Sequence, residues 1–122
     1  MKRNDLIKQR AETNLLRACA LEDRGRITSA IKLYRQAAHL GDAIAQSNLG
    51  NLLDDKIRPG RPSEAVYWYK RSVRLGHPTA AYNLAIHYRN LGKQRWHLHW
   101  LQVAERLGDP DAGAEIKDPL RI

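Results

Sequence analysis

The chain has 122 residues and a formal net charge of +8, from 21 Lys and Arg against 13 Asp and Glu. Apolar residues make up 43% and charged residues 28%, which is too apolar for a disordered chain and too charged for a membrane span. Its single cysteine, Cys19, excludes an internal disulfide and a multi-cysteine zinc site. Charges recur at the N-terminus before any long apolar run, so we expect one soluble, cytoplasmic domain.

The apolar pattern predicts seven helices and no strand. Apolar residues recur at steps of three and four, the period of a helix with one buried face. The predicted helices cover residues 4–23, 28–40, 43–54, 63–75, 78–91, 95–107 and 110–117. The longest turn, residues 55–62, contains Pro59, Gly60 and Pro62, which interrupt helices.

Helix ends are marked by a recurring stop signal. A Leu-Gly pair closes three predicted helices at intervals of 35 and 32 residues: Leu40-Gly41, Leu75-Gly76 and Leu107-Gly108. Glycine in this place can adopt the left-handed conformation that ends a helix. Asp42 and Asp109 can then cap the amides of the next helix, and Pro78 and Pro110 fall at a first helical position.

Two patterns repeat along the chain and alternate with each other. One occurs upstream of each Leu-Gly pair: Ala30, Tyr34, Ala37, Leu40; Ala65, Tyr69, Ser72, Leu75; His97, Leu101, Ala104, Leu107. The other occupies the preceding or following helix: residues 11–15, 45–49, 80–84 and a degraded copy at 112–116. Small residues next to large ones let neighbouring helices approach closely, so the pattern predicts helical hairpins.

The motifs resemble Sel1-like repeats, which are relatives of tetratricopeptide repeats. The resemblance rests on residues 45–50, 63–65, 68–70 and 75–76, echoed by 80–85 and 100–108. It implies a right-handed all-α solenoid of antiparallel helix pairs, with about three and a half hairpins. The expected hairpins are 4–40, 43–75 and 78–107, with a degraded capping unit at 110–122, in a single domain covering 1–122. The chain departs from the family pattern at residues 58–61, His97 and Leu101.

No constellation of catalytic groups or phosphate-binding loop occurs in the sequence. His97 and His99 lie two residues apart and diverge by about 200° on a helix, so they cannot share a metal ion. Cys19 lies in an apolar stretch that is typical of a buried core position. We therefore expect a non-enzymatic protein with no cofactor and no metal.

The first helix of each hairpin is expected to line a concave binding face. Asn14, Asn48 and Asn83 recur there in register, and two interpretations of this Asn ladder stay open. The amides bind an extended peptide, as the resemblance implies, or they bond the neighbouring helices. Arg10 and Arg17 favour an acidic ligand or simply keep the helix soluble. The candidate partner-binding residues are Arg10, Asn14, Arg17, Ser47, Asn48, Asn51, Tyr82 and Asn83.

A second candidate surface is a basic ridge formed by successive turns: Lys56, Arg58, Arg61, Arg89, Lys93 and Arg95. Trp96 is near enough to stack on a base, but we expect all three tryptophans to pack between helices. The charge is diffuse, so nucleic acid is a less favoured partner than a protein or peptide of acidic character. We expect no membrane association.

The predicted function is therefore a protein-interaction module that serves as an adaptor, scaffold or inhibitor. The alternatives are a basic nucleic-acid-binding module and a structural assembly unit. Ile116, Leu120 and Ile122 form an apolar strip that we expect to fold back as a cap, which predicts a monomer. A dimer through the C-terminal end is the alternative.

Overall fold

The computed structural model describes residues 2–118 and shows an all-α chain. The helices are α1 (Arg3–Asp23), α2 (Ile27–His39), α3 (Ala43–Asn51), α4 (Pro62–Arg74), α5 (Pro78–Asn90), α6 (Gln94–Arg106) and α7 (Pro110–Lys117). No strand occurs within the described residues. The all-α class is confirmed, and every predicted helix end except that of the third lies within one residue of its observed position.

The chain divides into two compact units after Ser72, inside α4. The N-terminal unit contains α1, α2, α3 and residues 62–72 of α4, and the C-terminal unit begins at Val73 and contains α5, α6 and α7. Within the N-terminal unit α1 packs on α2, and α2 packs on α3. Within the C-terminal unit α5 packs on α6, and α6 packs on α7.

The predicted signals at the helix ends are confirmed. Gly41 and Gly108 have φ angles of +94° and +100°, the left-handed conformation that glycine adopts without strain. The Asp42 carboxylate accepts a hydrogen bond from the Ala45 amide at 2.8 Å, and Asp109 accepts one from the Ala112 amide at 3.0 Å. Each aspartate thus satisfies an amide that the first turn of a helix leaves without a partner.

The third helix differs from the prediction of one α-helix over 43–54. The α-helix α3 ends at Asn51, and the chain continues as a π-helix over Leu52–Lys56. Leu52 and Leu53 are both buried in this wider turn. The Leu53 carbonyl accepts a hydrogen bond from the Arg61 amide at 2.7 Å, so a loop residue satisfies a carbonyl at this helix end.

In the N-terminal unit, α3 and α4 approach closely at a glycine. A Cβ added at Gly50 would lie 2.6 Å from Cε1 of Tyr69, so the tyrosine ring occupies the space that a larger residue would need. The Tyr69 hydroxyl donates to Asn51 Oδ1 at 2.7 Å, and the Ser72 hydroxyl donates to the Ala43 carbonyl at 2.7 Å. Ala65, on the same face of α4, is fully buried, as its small side chain predicts.

In the C-terminal unit, a small-residue core forms between α5, α6 and α7. Its buried members are Ala81, Ala85, Leu101, Ala104 and Ala112. Ile116, the first residue of the predicted apolar strip, packs against this core. Leu120 and Ile122 lie outside the described residues, so the monomer stays a prediction.

One residue of the repeated pattern lies elsewhere than expected. Leu75 belongs by spacing to the buried face of α4, but it is 57% exposed. Leu40 and Leu107 also follow the last residue of their helices but are half-buried, so the exposure of Leu75 depends on its tertiary surroundings and not on the helix end.

Candidate functional site

An open groove of about 990 Å³ runs along α1 and the end of α2 in the N-terminal unit. Leu6 and Ile7, which are 53% and 37% exposed, supply apolar surface to it. Arg3, Arg10 and Arg17 line the same groove and are exposed. Residues at steps of three and four share one helix face, so α1 presents its arginines on both sides of an apolar centre. We name this surface the α1 groove.

Asn14 lies in the α1 groove beside Arg10 and Arg17. Its side-chain amide donates to Gln36 Oε1 at 3.4 Å, which is a long hydrogen bond to the neighbouring helix. The structure therefore brings three of the predicted partner-binding residues together on one surface. Asn14 is therefore compatible with both interpretations of the Asn ladder: it bonds the neighbouring helix α2 and also lines the groove in which a peptide would bind.

The predicted residues of α3 are less accessible. Ser47 is 1% exposed, so its hydroxyl does not reach a partner at the surface. Asn51 is half-buried and accepts the hydrogen bond from Tyr69, which ties it to α4. Asn48 is half-buried beside them.

Tyr82 and Asn83 lie on α5 in the C-terminal unit, where both are half-buried. The Tyr82 hydroxyl donates to the Glu115 carboxylate. That hydrogen bond, together with burial, raises the pKa of Tyr82 to about 12. Asn83 belongs to a different unit from Asn14 and Asn48, so the continuous Asn ladder remains a prediction.

The predicted basic ridge is divided between the two units in the same way. In the N-terminal unit, Lys56 lies 3.9 Å from the Asp55 carboxylate and Arg61 lies 3.6 Å from Glu64. The Arg58 guanidinium donates to the backbone carbonyls of Asp55 and Ile57. The positive charge of this segment is therefore partly neutralised by nearby carboxylates.

The other half of the ridge, Arg89, Lys93 and Arg95, is exposed around the turn between α5 and α6. No carboxylate lies within ion-pair distance of these three cations among residues 2–118. Their charge is thus open to solvent. The ridge as one continuous surface remains a prediction.

Sequence reasoning missed a charged cluster around Glu64. The Arg35 guanidinium forms an ion pair with Glu64, and the Trp68 indole N–H donates to the same carboxylate at 3.2 Å. Burial raises the pKa of Glu64, but the hydrogen bonds from Arg35 and Trp68 outweigh it, so the pKa is lowered. The spacing of Glu64 and Trp68, four residues apart on a helix, is the signal that could have predicted their contact.

A second missed cluster lies in the interior of the C-terminal unit. His97 is fully buried, and its Nδ1 donates to the Ala85 carbonyl at 2.8 Å. Its Nε2 faces Glu115 Oε2 at 4.0 Å. Glu115 is 5% exposed and accepts from Tyr82 through its other oxygen. The available signal was a histidine at the repeat position where the preceding hairpins have Ala30 and Ala65.

Two sequence expectations about single residues were wrong. Trp96 was expected to pack between helices but is 50% exposed, whereas Trp68 is 2% exposed and Trp100 is half-buried. Cys19 was expected in the core but is half-buried, with its sulfur 3.3 Å from the Tyr34 hydroxyl. The exposure of Trp96 and of Cys19 depends on how neighbouring helices pack, which the local sequence does not determine.

No protein-family profile matches the chain. The chain is 42% identical over 64 residues to an F-box protein of Arabidopsis thaliana. The match covers 52% of this chain and 18% of the relative, so the chain spans less than a fifth of the length of that protein. None of the described helices is long and apolar enough to cross a membrane. Residues 2–118 contain no group of three or more His, Cys, Asp and Glu side chains arranged to hold a metal ion.

Proposed function

We propose that the protein is a non-enzymatic interaction module of Sel1-like helical hairpins, which acts as an adaptor, scaffold or inhibitor. The observation that carries this proposal is the α1 groove. Its exposed Leu6 and Ile7 offer an apolar anchor site, and Arg3, Arg10 and Arg17 place positive charge along the same groove. Exposed apolar surface bordered by charge is typical of protein-interaction sites.

The chemistry of the groove favours an acidic peptide with at least one large apolar side chain. Arginine forms paired hydrogen bonds to carboxylates, and such bonds are stronger than those between neutral groups. Asn14 adds an amide that can donate to and accept from a peptide backbone. The apolar centre would then bury the anchor side chain while the arginines orient the acidic residues.

Two further observations support the proposal. The partial relative is an F-box protein, a type of protein that works through protein interactions. The close approach of α3 and α4 at Gly50 and Tyr69 is the packing that the resemblance to helical repeats implies. We extend the proposal to a right-handed solenoid of these hairpins within one domain.

A selection from a random peptide library displayed on phage tests the proposal with the full chain. We expect the selected peptides to be enriched in Asp and Glu and to share a large apolar residue. The triple variant Arg3→Gln/Arg10→Gln/Arg17→Gln should weaken binding of a selected peptide by about tenfold or more, measured by fluorescence polarisation. Leu6→Ala/Ile7→Ala should weaken it to a similar degree.

The matched control carries the same loss of charge in the other unit, in the variant Arg89→Gln/Lys93→Gln/Arg95→Gln. It should bind the selected peptide as the wild type does. Selected peptides without acidic character, or equal loss of binding in both triple variants, would contradict the assignment of the α1 groove. A far-ultraviolet circular dichroism spectrum of each variant checks that the helices are intact.

A further inference from the structure

An exposed cluster of aromatic rings lies at the turn between α5 and α6. Trp96 is 50% exposed, and its ring centroid lies 6.2 Å from that of Tyr88, with the two planes inclined at 38°. The His99 ring meets Trp96 edge-on at 5.8 Å. The indole therefore contacts two neighbouring rings while half of the residue remains open to solvent. We name Tyr88, Trp96 and His99, with the cations Arg89, Lys93 and Arg95, the aromatic-basic patch.

The charge along this segment of the sequence is of one sign. No Asp or Glu occurs between Glu64 and Glu105 in the sequence. Every residue from 89 to 96 is exposed, and three of them are Arg89, Lys93 and Arg95. The predicted ridge cations of the N-terminal unit differ, because Lys56 and Arg61 each have a carboxylate nearby. Unneutralised cations beside an exposed indole form a surface that attracts a polyanion with flat, apolar groups.

We propose that the aromatic-basic patch binds single-stranded nucleic acid. A base stacks on the open face of Trp96, and Arg89, Lys93 and Arg95 hold the phosphates on either side of it. Combining aromatic stacking with backbone neutralisation is the general physical basis of single-strand binding. Binding of this kind needs only an exposed ring and nearby cations, and the aromatic-basic patch has both.

The geometry favours a single strand over the two other polyanionic partners. The bases of a duplex are stacked inside the double helix. They cannot stack on a side chain at the turn between α5 and α6 unless they are unpaired. An acidic peptide would need a concave site for its apolar anchor, whereas Trp96 stands among eight consecutive exposed residues. A planar base can cover an exposed ring without any concave pocket.

This site lies in the C-terminal unit and the α1 groove lies in the N-terminal unit, so the inference does not rest on the proposed function. The two proposals can fail separately. The expected affinity is in the micromolar range, because one stacking ring and three cations make a small site.

The experiment titrates the full chain into a fluorescein-labelled single strand of about 12 nucleotides and records anisotropy. We expect binding that weakens as salt rises, with a slope of log K against log salt of about −2, since three cations each contribute about 0.7 on single strands. The intrinsic fluorescence, of which Trp96 is one of three tryptophan sources, should be partly quenched on binding. The corresponding duplex should bind several-fold more weakly at every salt concentration.

Two substitutions at one position separate stacking from simple apolar contact. Trp96→Phe keeps an aromatic face and should retain most of the affinity, whereas Trp96→Leu should weaken binding by about tenfold. The position is exposed, so neither change should disturb the fold. Equal affinity of the two variants would overturn the stacking assignment.

The role of the cations is tested with the two triple variants, which have the same net charge. Arg89→Gln/Lys93→Gln/Arg95→Gln should abolish most of the salt dependence, and Arg3→Gln/Arg10→Gln/Arg17→Gln should leave it unchanged. Equal loss of salt dependence in the two triple variants would show non-specific attraction to a basic protein and would overturn the assignment of the site. Absence of binding at low salt, or Trp96-dependent binding of an acidic peptide in place of the oligonucleotide, would overturn it as well.

Discussion

The helices α4 and α6 occupy equivalent positions in the repeated pattern, 32 residues apart, but they use those positions differently. Ala65 on α4 corresponds to His97 on α6, and both are fully buried. Glu64 on α4 corresponds to Trp96 on α6. Glu64 is held by Arg35 and Trp68, whereas half of Trp96 is exposed to solvent.

The difference shows that one repeat pattern can be stabilised by two kinds of interior. In α4 a small residue lets the neighbouring helix approach, and the polar groups lie in a charged cluster near the surface. In α6 a histidine fills the same place: its Nδ1 bonds the Ala85 carbonyl, whereas its Nε2 has no hydrogen-bond partner among residues 2–118 and lies 4.0 Å from Glu115 Oε2. The neighbouring position, which holds the ion-paired Glu64 in α4, holds the exposed Trp96 in α6.

The largest expected effect comes from His97→Ala, which gives α6 the residue type of α4. It removes a buried ring together with its hydrogen bond to the Ala85 carbonyl, and should lower the free energy of unfolding by about 3 kcal/mol. Urea denaturation measures this change. The control His99→Ala removes an exposed histidine of the same helix and should stay within about 0.5 kcal/mol. If His97→Ala were neutral, the interior of α6 would be equivalent to that of α4.

A smaller effect is expected from Ala65→Phe. The bulky ring overpacks a fully buried position and should destabilise the protein by about 2 kcal/mol, which thermal unfolding would report. The same substitution at an exposed position of the helix, Lys70→Phe, serves as the control. An unchanged melting temperature for Ala65→Phe would mean that this face of α4 has room for a side chain as large as the one in α6.

The smallest effect is expected from Glu64→Gln, about 1 kcal/mol at neutral pH. The pKa of Glu64 is lowered in the folded chain, so its contribution is present above the unfolded pKa, near 4.3 for a free Glu, and is lost as the pH falls through the folded pKa. The stability difference between wild type and variant should therefore disappear in acid. Glu12→Gln, at an exposed position of α1, should show no comparable pH-dependent difference. If the difference in free energy of unfolding between wild type and Glu64→Gln persisted unchanged in acid, the contribution of Glu64 would come from packing and not from its charge.

The helices were predictable because their signals are local. Asp42 and Asp109 cap the helices that follow them within three residues, and Gly41 and Gly108 end the preceding ones. The period of apolar residues then determines which face of each helix is buried. Such signals depend on contacts along one segment of chain, so they can be read from sequence before any packing is known.

The candidate site was only partly predictable. Arg10, Asn14 and Arg17 share a groove because they share one face of one helix. Ser47 has the same spacing relation to Asn48 as Thr13 has to Asn14, but it is buried. Trp96 is a residue type usually found inside, but it is exposed. The exposure of both side chains depends on which helices pack against them, and the sequence of a single helix does not contain that information.

The contact between Gly50 and Tyr69 limits the order in which the hairpins can change during evolution. The corresponding residues in the C-terminal unit are Ala85 and Leu101, a larger residue on the first helix paired with a smaller one on the second. Converting one pair into the other takes two substitutions. If Gly50→Ala came first, its Cβ would lie 2.6 Å from the Tyr69 ring, whereas Tyr69→Leu first would leave only a cavity. The passable route in either direction therefore runs through the Gly–Leu pair, so the order of the two substitutions is constrained even though both end points pack well.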